Sequence, residues 1–150
     1  MQQHNFGKAV GAGIAGTVMM TMLTFMAPLM GMPEMNIPKM LADFMGFPIV
    51  VGLLAHFMVG TVLALIYVYF FLARLPEAPW LKGILYGLIP WFLLQIMVNP
   101  MMGSGVFALN TSSPVMTVMG SLIGHLMYGV VLGVVYGAEG KPKYSPVAIL

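Results

Sequence analysis

The sequence predicts an all-α membrane protein with four transmembrane helices, and three observations carry that prediction. Hydrophobic residues make up 60% of the 150-residue chain and charged residues only 7%, where soluble domains carry about a quarter charged. Ten charges cannot cover the surface of a globule this size, so lipid must be the main solvent. Four stretches, 9–31, 49–73, 83–102 and 115–137, run without Asp, Glu, Lys or Arg, long enough for the ~20 residues a span needs. The cations are also lopsided. Lys8, Arg74, Lys82, Lys141 and Lys143 fall on one side of a four-span arrangement, and Lys39 alone on the other. By the positive-inside rule both termini and the 74–82 turn are cytoplasmic, and the 32–48 and 103–114 loops face outward.

The elements follow in order. The first stretch is longer than a signal-peptide core, only Lys8 precedes it, and no A-x-A site follows, so it reads as a retained helix. In the loop MPEMNIPKMLADFMGFP, Ile37, Met40, Leu41, Phe44 and Met45 keep i, i+3, i+4, i+7 spacing. Pro38 suits a first turn, and Gly46 with Pro48 stops the helix. Lys39 and Asp43 sit four apart on the opposite face, which describes a short helix lying in the outer interface. RLPEAPWLK, 74–82, is a compact turn with an interfacial Trp80, and GSGVFALNTSSP is an uncharged, irregular loop.

The chain has the pattern of a tandem duplication of a two-helix unit. His56-Phe-Met-Val-Gly60-Thr-Val-Leu-Ala64-Leu-Ile-Tyr67 matches His125-Leu-Met-Tyr-Gly129-Val-Val-Leu-Gly133-Val-Val-Tyr136 at an offset of 69. Ala27-Pro28-Leu-Met30-Gly31 matches Asn99-Pro100-Met-Met102-Gly103 at 72, the difference being absorbed by a shorter second outer loop. Two helices per unit insert the same way, which implies a pseudo-twofold axis along the membrane normal.

The runs APLMGMPEMNIPKMLADFMG, AHFMVG, RLPEAPWLKG and GHLMYGVVLGVVYG resemble a family of small bacterial inner-membrane proteins of unassigned function. The likeness covers most of the chain. It implies four helices and a bacterial inner membrane, and it brings no activity and no functional residue.

Two histidines stand inside the spans. Gly52, His56, Gly60 and Ala64 are four apart, as are Ser121, His125, Gly129, Gly133 and Gly137. Each imidazole thus lies on a stripe of small residues, the surface along which membrane helices approach closely. Ionisable groups in spans face the bundle interior and invite a functional reading. One reading is bis-histidine ligation of a b-type haem by His56 and His125. Against it, stripes that let helices touch close the space a porphyrin needs. The plainer reading is an interhelical polar clasp to Thr, Ser, Tyr or a backbone carbonyl.

Seventeen methionines are concentrated at the midplane and on the outer side. Met30-Gly-Met32-Pro-Glu-Met35 has the close spacing of a thioether site for Cu(I), a soft ion that bacteria meet in the periplasm. The plainer reading is that flexible Met fills irregular gaps. Thr17, Thr21 and Thr24 share one face of the first span, and Trp91, Gln95 and Asn99 share one face of the third, just after Pro90. Gln95 and Asn99 are the candidates for a polar pocket.

Several classes are excluded or disfavoured. With no cysteine there are no disulfides and no thiolate metal sites, and no basic cluster exists for nucleic acid. No carboxylate lies in a span, and no nucleophile–base–acid set appears, so an enzyme is not expected. The expected function is that of a non-catalytic accessory or assembly subunit of a bacterial inner-membrane complex, or a homo-oligomer. Its partners are the bilayer and other membrane subunits or itself. A haem b electron-transfer protein and an outward-facing Cu(I)-binding protein are the alternatives.

Overall fold

The computed structural model describes residues 4–76 and 78–137. Lys141 and Lys143, two of the five cations behind the predicted orientation, lie outside them. All regular structure among the described residues is helical. The helices are α1 (Phe6–Met26), α2 (Ile37–Met45), α3 (Ile49–Ile66), α4 (Pro79–Leu93) and α5 (Pro114–Tyr136). Short 3₁₀ or π continuations bring the first three long helices to Phe6–Met30, Ile49–Phe71 and Pro79–Met101. With α5, these are four helices long and apolar enough to cross a membrane. The loops 31–48 and 102–113 share one end of the bundle, called distal below.

Two helices start earlier than the charge-free stretches do, for capping reasons. Asn5 accepts a hydrogen bond from Lys8 N at 3.0 Å, so the first turn begins before the lysine. Pro79 stands at the start of α4, where its missing N–H costs nothing. Asn36 caps α2 through Lys39 N at 3.0 Å. Gly46, at φ 71°, closes α2 in the left-handed conformation while Phe47 N donates to Ala42 O at 3.0 Å. The short helix therefore forms as its sequence predicts, and Lys39 pairs with Asp43 at 2.6 Å on its exposed face. Its packing face is different from the apolar stripe. Pro38 and Ala42 are buried, whereas Phe44 is 54% exposed. The reason is Gly52 of α3, which has only a hydrogen where Ala42 and the Pro38 carbonyl press in.

The helices pack in the order α3, α1, α5, α4, with α2 laid on α3. Glycine sets the contacts. A Cβ placed on Gly83 of α4 would collide with the carbonyl of Gly129 in α5, and one on Gly87 would stand 2.5 Å from the His125 carbonyl oxygen. In the other pair, a Cβ on Gly13 of α1 would stand 2.8 Å from Ala64 Cβ and 3.0 Å from Gly60 O, and Thr17 occupies the space over Gly60. Each histidine-bearing stripe is thus taken up by a different neighbour, α1 and α2 for α3, and α4 for α5.

Tyrosines tie the remaining sides. Tyr86 of α4 donates to Leu63 O of α3 at 2.6 Å, and Tyr128 of α5 donates to Gly60 O at 2.6 Å. The Tyr86 ring also lies 5.1 Å from Tyr67 and 5.3 Å from Phe71. Near the chain start, Asn5 N donates to the Tyr136 hydroxyl at 3.0 Å. In lipid the apolar effect does not hold helices together, so such close packing and bonding must.

Gly83→Ala is expected to lower stability by about 1–3 kcal/mol, because the added methyl has only backbone to displace. Gly11→Ala, where nothing lies within 4 Å, is expected to be neutral or to stabilise by up to about 1 kcal/mol. Thermal unfolding in detergent compares the two, and equal melting temperatures would refute the close-contact account.

Candidate functional site

The polar side chains of the spans gather into two clusters, one on each helix pair. Between α4 and α5 the cluster is built by Trp91, Gln95, Asn99, Ser121 and His125. Pro90 stands inside α4, and residues 94–98 that follow it form a π turn. Such turns re-aim side chains and recur at functional sites. Here Trp91, Gln95 and Asn99 all face α5. Trp91 Nε1 and Gln95 Nε2 both donate to Ser121 Oγ, at 3.2 and 2.9 Å. Asn99 Nδ2 donates to Gln95 Oε1 at 2.9 Å. Ser121 passes its own proton to Val118 O at 2.9 Å. Gln95 is fully buried, so its amide depends on these partners.

His125 sits one turn further along α5. Its Nδ1 lies 2.8 Å from Ser121 O. A carbonyl only accepts, so Nδ1 carries the proton and Nε2 is the bare nitrogen. No partner for Nε2 lies among the described residues.

Between α1 and α3 the cluster is a threonine ladder ending on His56. Thr17 Oγ1 donates to Gly13 O at 2.8 Å, Thr21 Oγ1 to Thr17 O at 2.7 Å, and Thr24 Oγ1 to Thr21 O at 2.9 Å. His56 Nε2 stands 3.1 Å from Thr21 Oγ1. The threonine proton is already committed, so His56 Nε2 must donate and Nδ1 is bare. The sequence expected an interhelical clasp; His56 makes such a bond, to the Thr21 hydroxyl of α1, whereas the His125 bond to Ser121 O stays within α5.

A haem iron takes the imidazole nitrogen farther from the backbone. In His56 that atom, Nε2, is the one held by Thr21, and only the His125 ring presents it free. Beside the His56–Thr21 bond, α1 and α3 leave an apolar groove of about 430 Å³ that includes Val18, Met22, Phe25 and Phe57.

The methionine trio divides. Met30 is 69% exposed at the end of the first span, while Met35 is buried and Met32 half-buried. The Met35 and Met32 sulfurs lie 3.4 and 3.6 Å from where a Cβ would stand on Gly120 of α5, so these two thioethers converge. Met20 of α1 fills the next glycine along, with its Cγ 3.3 Å from the Cβ position of Gly124. Above the α4–α5 cluster, Phe107 and Ala108 hold left-handed backbone at φ 49° and 54°. Phe107 is thereby set edge-on to Trp91 and Phe92, 6.4 and 6.3 Å away.

A family model described as a family of unknown function (DUF6789) matches residues 3–145. The chain belongs to that family. Comparison with curated proteins and with solved structures gave no match. Membership of DUF6789 therefore carries no chemistry to this site, and its reading rests on the side chains.

The sequence placed Gln95, Asn99 and both histidines among the polar residues of the spans, and missed Ser121 as the joint acceptor of Trp91 and Gln95. A signal was present, since Ser121 interrupts a stripe otherwise made of glycine and histidine. Ser121→Ala strands two donors and is expected to cost about 1–3 kcal/mol. Combined with Gln95→Leu in a double-mutant cycle, it is expected to show coupling of about 0.5–2 kcal/mol. Additive losses in detergent unfolding would remove the network from the account.

Proposed function

We propose that this chain is a non-catalytic integral membrane subunit that works in an assembly, either as an accessory component of a larger complex or as a homo-oligomer. The observation that carries the reading is how the polar side chains of the spans are used. Thr17, Thr21, Trp91, Gln95, Asn99 and Ser121 bond to helix backbone or to one another. Chemistry is left to two bare imidazole nitrogens and little else. The outer faces of all four long helices meanwhile present large apolar side chains, among them Leu54, Met58, Phe92, Met97, Met116 and Met119. Such surfaces suit lipid and neighbouring helices alike.

The bacterial inner membrane is the proposed location, with both termini cytoplasmic and the distal loops outside. Support comes from the charge bias, in which Lys8, Arg74 and Lys82 lie at the end opposite Lys39. Two of these cations also cap that end. Lys82 Nζ donates to Leu72 O at 2.9 Å, and Arg74 donates to Phe70 O. The tandem duplication is proposed on related grounds. Gly13 meets Gly60 and Ala64 just as Gly83 meets Gly129 and Gly133, each partner displaced by 69 or 70 residues. The α2 helix, found in one unit only, is proposed to lie in the outer interface with Phe44 toward lipid.

Extraction in a gentle detergent followed by native mass measurement is expected to give a species well above the 16.2 kDa chain. A monodisperse monomer with no companion ends the assembly reading. For orientation, Asn110→Cys is expected to react with an impermeant maleimide on intact cells, and Pro76→Cys only after permeabilisation. The reverse pattern inverts the topology.

A further inference from the structure

The close-spaced methionines of the distal end take no part in the polar clusters, the glycine contacts between spans or the assembly reading, and the fold has sorted them. Among the described residues only two methionines are buried, Met20 and Met35, each 7% exposed. Both lie against one side of α5, and half-buried Met32 joins them there. Gly120 leaves a notch that the Met35 methyl enters, which sets that thioether against the helix. From the Cβ position of Gly120, the Met35 sulfur is 3.4 Å away and the Met32 sulfur 3.6 Å. Gly124 follows one turn later on the same side, its Cβ position about 5–6 Å from that of Gly120. There Cγ and Cε of Met20, the two carbons bonded to its sulfur, stand 3.3 and 3.5 Å away. Three thioethers therefore crowd a patch one helix turn long.

Gap filling accounts for flexible apolar side chains over these glycines, but not for sulfur in all three. A thioether is a soft, neutral ligand that selects Cu(I) over harder divalent ions. The surroundings agree. No group of three His, Cys, Asp or Glu side chains that could hold a metal ion stands among the described residues. Neutral ligands leave an ion its whole charge in a poorly polar medium, which favours an ion with a single charge. Glu34, exposed between Met32 and Met35 in the chain, is the one ionic side chain of the 31–36 segment, and its sign offsets a cation.

We propose that Met20, Met32 and Met35 bind one Cu(I) ion through their three sulfurs, where α1, the 31–36 segment and α5 meet at the distal end. Each sulfur sits on a flexible arm, so rotation about side-chain bonds closes the three on the ion without moving a helix. The site goes beyond the assembly reading and does not depend on it. Met30, 69% exposed at the end of the first span, is outside it, as are both histidines.

Leucine keeps the bulk of methionine and removes the sulfur, so it separates ligand from filler. The purified chain is titrated with Cu(I) under reducing conditions against a colorimetric chelator, and its thermal unfolding is followed alongside. The wild type is expected to hold one Cu(I) per chain, and X-ray absorption to show a first shell of three sulfurs. Met32→Leu with Met35→Leu is expected to lose the copper while melting near the wild-type temperature. Met20→Leu is expected to leave a two-sulfur shell, and Met30→Leu to leave binding unchanged. No copper taken up by the wild type overturns the proposal. So does full stoichiometry in the double variant, a three-sulfur shell in Met20→Leu, loss of copper in Met30→Leu, or a wild-type shell of nitrogen or oxygen. If the double variant unfolds, the absorption spectrum of the wild type decides by itself.

Discussion

The contact on which the rest of this structure depends is the approach of α4 to α5 at Gly83, Gly87, Gly129 and Gly133, where backbone meets backbone with no side chain between. Lipid tails are as apolar as leucine, so burial of apolar surface does little to hold spans together. Dispersion over a close, regular contact does, and carbonyls near opposing Cα–H groups add to it. That approach brings α4 near enough for Gln95 and Trp91 to share the hydroxyl of Ser121. The same logic between α1 and α3 brings Thr21 to His56.

Short polar bonds then lock what the glycines allow. A hydroxyl or amide inside the bilayer has no water to turn to, and the threonine, serine, glutamine and asparagine donors of the two clusters are paired with a carbonyl or a side-chain oxygen, while the buried Tyr67 hydroxyl has no partner among the described residues. Tyr86 and Tyr128 extend this to helices that glycine does not bring together, by reaching across to Leu63 and Gly60. The interior proline of α4 and the π turn after it belong to the same scheme. Breaking the regular ladder turns Gln95 toward α5, where it sits wholly buried with its amide satisfied.

Much of this was legible in the residues. The four spans follow from charge-free runs, since a charge at the bilayer centre is costly whatever the neighbours. The α2 helix follows from Asn36, Pro38 and Gly46, which act within a turn of one another. His56 and His125 stood out as imidazoles on small-residue stripes, and Gln95 with Asn99 as a polar pair on one helix face. What could not be read was partnership. Nothing in the chain says that the α3 stripe seats on α1 or that Ser121 collects two donors. Nor does it say that Met32 and Met35 share one glycine while Met30 stays outside.

The chain by itself determined how many spans there are, where along the sequence they lie to within a few residues, and which faces hold small or polar residues. These depend on transfer of side chains into lipid and on caps a few residues apart, both local in sequence. The tertiary structure decided which stripe meets which helix, which nitrogen of each histidine is protonated, and which acceptors remain open. Those outcomes depend on distances of about 3 Å between residues far apart in the chain, and only the packed bundle sets them.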